Sequence, residues 1–183
     1  MRQSTMTYAQ YLDLERTSPE KHEYLRGEVW AMAGGTPSHA RIASNVGIAL
    51  GIALKGRPCA VFNSDLRVRV QESDRSTYPD VTVVCSKELT ASDDENAIVN
   101  PTLIVEVLSD STEASDRGEK FAHLQRLPSL KEYVLVSQRE QRVEVFRRGE
   151  GMWMLFTITG GRLELKSIDV SLDLADVYAN PLG

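Results

Sequence analysis

The sequence predicts an α/β or α+β domain: a mixed central sheet flanked by helices, with an antiparallel meander added at the C-terminus. Three observations carry this. The central stretch reads helix, strand, strand, strand, helix, strand, an order that builds a mixed sheet with helices packed on it. "PTLIVEVLSDST" at 101–112 is a β-branched apolar run of the kind found in strands covered on both faces. "RVEVFRR", "MWMLFTI" and "GRLELK" follow one another as short strands in the last third. With 183 residues, 1–183 is expected to be one domain whose core stands without disulfides or a structural metal.

The elements follow in order. "TYAQYLDLERTSPE" begins as a short amphipathic helix with Tyr8, Tyr11 and Leu12 on its apolar side, broken at "TSPE". "HEYLRGEVWAMA" reads as a hairpin turning at Arg26-Gly27. In "TPSHARIASNVGIALGIALKGRP", Ile42, Val46, Leu50 and Leu54 recur every fourth residue until Gly56 and Pro58 end the pattern, which is a helix with one buried stripe. "AVFNSDLRVRV" alternates, with Leu66, Val68 and Val70 opposite Asp65, Arg67 and Arg69. "YPDVTVVC" is a strand starting at Pro79, and the acidic "SKELTASDDENAIVN" is expected to be an exposed, mobile loop. "DRGEKFAHLQRLPS" reads as a helix opened by Asp116 with Glu119 three residues on and closed before Pro128, and "LKEYVLVS" is another apolar strand.

Composition excludes several classes. A formal net charge of -5 argues against a general nucleic-acid coating protein, since neutralising phosphates needs clustered Lys and Arg. The local basic sets, Lys55 with Arg57, Arg67 with Arg69, and Arg139, Arg142, Arg147 and Arg148, read as solvated faces. Cys59 and Cys85 lie far apart, match no zinc spacing and are not joined by His22, His39 or His123, so zinc is not expected and a reducing cytoplasm fits. No basic-then-apolar leader pattern and no run of about 18 apolar residues is present, so neither export nor a membrane association is expected.

One constellation carries chemistry. Alternation along 103–108 puts Leu103, Val105 and Val107 on one face and Ile104, Glu106 and Leu108 on the other, so Glu106 is held close to a core. A carboxylate there costs several kcal/mol unless a cation, a metal or donors compensate it. Asp80 starts the preceding strand. If the two strands are neighbours, both carboxylates can share one Mg²⁺ or Mn²⁺ ion, which is commonly held by one or two carboxylates plus waters. On a helical wheel with Lys120 at zero, Leu124 falls at about 40° and Leu127 at about −20°, so Lys120 lies inside the apolar stripe and points toward the sheet. The plainer readings are that Asp80 is a turn residue at the start of its strand, and that Glu106 and Lys120 form a buried structural ion pair.

"YPDVTVV", "LIVEVLSDST" and "DRGEKFAHLQRLPSLKEYVLV", together with "HEYLRGEVWAMAGGTPSHARIASNV" near the start, resemble the cyanobacterial-type family of proposed restriction endonucleases, also called the Uma-two family, in the PD-(D/E)XK nuclease superfamily. The resemblance covers nearly the whole chain. It implies a restriction-endonuclease-like α/β core and metal-dependent cleavage of phosphodiester bonds in DNA, with Asp80 matching the superfamily's Asp and Glu106 its acidic strand residue. Leu108 stands where the signature has lysine, and Lys120 in "DRGEK" matches the basic residue that the following helix can supply instead. Glu28, after Gly27 in the hairpin, is a further acidic candidate, and His39 a weaker one that also reads as a cap or packing residue. The alternative function is a catalytically silent relative that binds nucleic acid or protein. A homodimer is expected through apolar edge residues Trp153, Met154 and Phe156, because two sites can cut both strands of a duplex.

Overall fold

The computed structural model describes residues 5–180 and 182. The single-domain expectation over 1–183 includes residues 1–4, 181 and 183, which lie outside the described residues. The chain opens with α1 (Tyr8–Thr17), closed at its N-terminus by a capping box between Thr7 and Gln10. β1 (His22–Leu25) and β2 (Glu28–Ala31) form the expected hairpin, turning at Arg26 and Gly27 with φ of 49° and 93°. A Cβ at Gly27 would lie 2.7 Å from Thr5, so this turn requires glycine. α2 (Pro37–Ala53) starts from the Thr36 cap, places Pro37 in its first turn and buries Ile42, Val46 and Leu50.

"AVFNSDLRVRV" is two strands rather than one. Asn63 and Asp65 hydrogen-bond across a turn, and β3 (Ala60–Asn63) and β4 (Arg67–Val70) enter different sheets. β5 (Arg75–Thr77) and β6 (Val81–Val84) follow. The acidic stretch expected as a mobile loop instead forms β7 (Thr90–Ala91) and β8 (Asp94–Ile98). Two of its acids have buried partners: Asp94 meets Arg67 at 2.9 Å and Asp93 meets Arg69 at 2.9 Å. Arg67 and Arg69, read as a solvated face, are therefore buried, and each lies over a tyrosine ring: Arg69 is 3.5 Å from the Tyr8 centroid and Arg67 is 5.6 Å from that of Tyr11.

β9 (Leu103–Leu108) leads into a continuous helical segment made of α3 (Glu113–Ser115), a π-helical turn at Asp116–Lys120 and α4 (Phe121–Leu124). The helix starts at Glu113, so Asp116 is not its cap; Asp116 is buried inside it. β10 (Glu132–Ser137), β11 (Val143–Arg148) and β12 (Trp153–Ile158) complete a six-stranded sheet in the order β12-β11-β10-β9-β6-β3. β9 and β10 are parallel and joined by the helical crossover, and the other neighbours are antiparallel. β1, β2, β4, β5, β7 and β8 form a second six-stranded sheet, which is also mixed. The expected C-terminal meander is split. "RVEVFRR" and "MWMLFTI" extend the central sheet, whereas β13 (Arg162–Leu165) pairs with β14 (Val170–Asp173) as a separate hairpin before α5 (Leu174–Val177). Leu163, Leu165, Val170 and Leu172 alternate, and burying them against the core with α2 draws this hairpin away from the sheet edge.

Both faces of β9 are covered, as its run of apolar residues requires. Leu103, Val105 and Val107 join a core with α2 and the C-terminal hairpin, while Ile104 and Leu108 join a second core with Val68, Leu124 and Tyr133. Glu106 belongs to that second face and is 4% exposed. Cys59 and Cys85, distant in sequence, form a disulfide. The antiparallel register of β3 with β6 pairs Ala60 with Val84, and its next step places the two cysteines opposite each other. Among the described residues no helix is long and apolar enough to cross a membrane.

Candidate active site

Register builds the acidic pair. β6 and β9 are antiparallel with Val81 opposite Val105, so Asp80, one residue before β6, stands opposite Glu106 on the same face. The Asp80 carboxylate accepts a hydrogen bond from the Val107 amide at 2.7 Å, and His39 Nε2 lies 3.3 Å from the same oxygen. The hydrogen bond from His39 to Asp80, and then the carboxylate's charge, hold the imidazole above its ordinary range against the opposing effect of burial. Gly35 allows the imidazole to pack there, because a Cβ on it would come within 2.8 Å of His39 Nδ1. His39, left in the sequence between cap and site residue, thus sits beside Asp80.

The helical crossover supplies the cation. Lys120 is 6% exposed, and its Nζ lies 2.8 Å from Glu106 Oε1, 3.2 Å from Glu23 Oε1 and 3.4 Å from Asp116 Oδ1. The ammonium is thus the nearest charged neighbour of this buried Glu106 oxygen. Burial drives the Glu106 carboxyl well above the usual carboxylate range, with Lys120 opposing. Burial would discharge Lys120, yet Glu106, Glu23 and Asp116 together hold its pKa well above that of a free lysine. Glu23 is also buried, but Lys120 and Arg75 outweigh that effect and keep it below its ordinary pKa.

Glu28 is not part of this cluster. It is exposed beside the hairpin turn opposite Leu25, while Glu23 pairs with Trp30 two residues further from the turn. Both glutamates share one face of the hairpin, but two residues along a strand are about 6.5 Å, enough to separate the rim from the cluster. Counting register from the Arg26-Gly27 turn was the signal that could have found Glu23. Asp116 also went unread, although its spacing of four from Lys120 is that of helical neighbours. Arg75, fully buried, holds Glu23 at 3.0 Å, and the Thr77 hydroxyl donates to the other oxygen of Glu23.

These groups line a cleft of ≈ 700 Å³ between the two sheets and the start of α2. Within it the acidic side chains of Glu23, Asp80, Glu106 and Asp116 lie beside Lys120 and His39, and the buried Arg75 holds Glu23 from outside the cleft. Among the described residues no three His, Cys, Asp or Glu side chains form a ready-made metal cage. A hard divalent ion needs only one or two carboxylates with waters, and the buried Glu106 opposed to Asp80 across the two strands fits one.

The chain matches the Uma2 family, described as "Putative restriction endonuclease", over residues 8–175. It is 37% identical over 171 residues to the uncharacterized protein slr1290 of Synechocystis sp., covering 92% of this chain and 89% of that one. It is 34% identical over 162 residues to the uncharacterized protein sll1609 of the same organism, covering 88% and 92%. Its fold is similar to the crystal structure of "a putative nuclease belonging to DUF820" from Anabaena variabilis, with a TM-score of 0.72 and 21% identity over 91% of this chain and 96% of the other. That likeness establishes the nuclease-like fold. With the family match spanning nearly every element that builds the cleft, the chain belongs to the Uma2 family of proposed restriction endonucleases.

Proposed function

We propose that the protein is a Mg²⁺-dependent endonuclease, with Mn²⁺ as an alternative ion, that hydrolyses phosphodiester bonds in DNA. The observation that carries this is the in-register pair of Asp80 and Glu106 beside a lysine ammonium 2.8 Å from Glu106. Asp80 and Glu106 would hold the ion. Bound there, it supplies Lewis-acid stabilisation of the phosphate and lowers the pKa of a water. The Val107 amide fixes the Asp80 carboxylate, so this ligand is oriented before substrate arrives. Lys120 places a permanent positive charge at the edge of the same site, where it orients the attacking water and offsets the negative charge developing on the phosphoryl oxygens. Glu23 and Asp116 hold that ammonium in place from the other side, which makes them positioning residues.

The test is cleavage of single-stranded and plasmid DNA by the purified protein with Mg²⁺, with excess EDTA, and by the Glu106→Gln variant. EDTA should abolish cleavage, and the variant should lose on the order of a hundredfold or more. Cleavage that persists in EDTA, or a variant as fast as the wild type, would overturn the proposal.

A further inference from the structure

The cleft holds an aromatic side chain that the proposed hydrolysis does not use. Trp30 on the edge strand β2 stands directly opposite Glu23 on β1, and the same row continues to Thr77 on β5. Cross-strand neighbours on one face are about 5 Å apart, so the indole sits one strand spacing from the ion cluster. It is 38% exposed, lines the cleft and is backed by the Arg75 guanidinium 5.7 Å from its ring centroid. A large aromatic left partly exposed on a sheet edge beside a buried charge cluster offers a flat surface to the cleft.

The charge around it is the second observation. Five acidic side chains line the cleft, against Lys120, Arg139 and His39, the last beside Asp80. Lys120 is enclosed by carboxylates and Arg139 is paired with Asp110. The arginines Arg67, Arg69 and Arg75 are buried against their own acids. No free basic track for a duplex backbone borders the cleft among the described residues. A groove of ≈ 830 Å³ shares Met32, Gly35, His39 and Asp80 with the cleft and continues past Ala43 and Phe62. One wall there is small or apolar, at Ala43, Gly47, Ile48 and Phe62, and the lysine at its rim, Lys21, is paired with Asp65.

Resting on the nuclease reading, we infer that the substrate is DNA with an unpaired stretch, in which a base next to the scissile phosphate stacks on Trp30. Stacking on an aromatic adds affinity at each base whatever the base, which lowers the share of affinity that phosphate contacts must supply. A duplex keeps its bases inside and presents mainly backbone, for which this cleft has few free cations.

The chain has two tryptophans, so Trp153→Phe leaves Trp30 as the sole reporter. Its fluorescence is followed during titration with an oligothymidylate of about twelve nucleotides, with Ca²⁺ replacing Mg²⁺ so that no turnover intervenes. Saturable quenching is expected, weakly competed by a blunt duplex of equal length. In polarisation measurements on the wild-type background, Trp30→Ala should bind the oligonucleotide about tenfold or more weaker, and Trp30→Phe should retain most affinity. Equal or tighter duplex binding, or undiminished binding by Trp30→Ala, would overturn the inference. If DNA is cleaved with Mg²⁺ while Trp30→Ala binds and cleaves normally, only the stacking role falls. If Trp30 stacks but no Mg²⁺-dependent hydrolysis occurs, the nuclease reading falls and the stacking role stands.

Discussion

Replacing Lys120 with methionine keeps most of the stem's bulk and removes the charge at the centre of three carboxylates. Removing one partner of a buried ion pair typically costs about 3–5 kcal/mol, because the other charge is left uncompensated. Glu106 can escape by binding a proton, at about 1.4 kcal/mol per unit of pKa shift. The pH dependence then has a definite sign. Burial already raises the folded pKa of Glu106 above its ordinary 4.5, so its contribution is most favourable in acid and is lost as pH rises through the folded value. Without Lys120 that folded value moves higher, and the variant goes on losing stability after the wild type has stopped. The stability gap should be below about 1 kcal/mol in mild acid and approach about 3–5 kcal/mol in alkali. Urea unfolding of both proteins across this range measures it, and Mg²⁺-dependent cleavage by the variant at a pH where it is folded should fall by on the order of a hundredfold or more. A gap independent of pH would refute the ion-pair reasoning, and cleavage at the wild-type rate would refute the catalytic role of Lys120.

Three further outcomes are expected. Glu23→Gln should impair cleavage while Glu28→Gln should leave it unchanged, since only Glu23 contacts the Lys120 ammonium; equal effects in parallel kinetic assays would contradict the placement. Reduction, or Cys59→Ser, should lower unfolding stability by about 3.5 kcal/mol, the loop-closure value for a link spanning 26 residues, and an unchanged denaturation midpoint would show that the thiols are not joined. The homodimer proposed from the edge strand β12 rests on Met154, Leu155 and Phe156, which are exposed, whereas Trp153 is turned inward against Phe121 and Arg148. Light scattering should give a dimer that Leu155→Lys weakens, and a monomer at every concentration would remove it.

Much of the site was legible because it depends on local periodicity. Alternation along 103–108 set the face of Glu106, and spacing on the helix set the direction of Lys120, even though a π-helical turn replaces the regular helix there. What escaped depends on pairing between distant segments. Glu23 could be found only through hairpin register and the docking of β1 on β5, and its preference over Glu28 is a matter of one strand repeat. The acidic stretch after Cys85 lacks apolar alternation because Asp93 and Asp94 within it are satisfied by buried arginines rather than by water. For the same reason Arg67 and Arg69 looked like a solvated face. The disulfide follows from the β3 and β6 register, which no spacing between Cys59 and Cys85 reveals.

The central claim is that Asp80 and Glu106, opposed across two antiparallel strands, jointly hold a divalent ion. Calorimetric titration of the purified protein with Mg²⁺, repeated on Asp80→Ala, tests it without reference to any substrate. One saturable site in the wild type that disappears in the variant is the predicted result, and identical binding by both proteins would contradict the account.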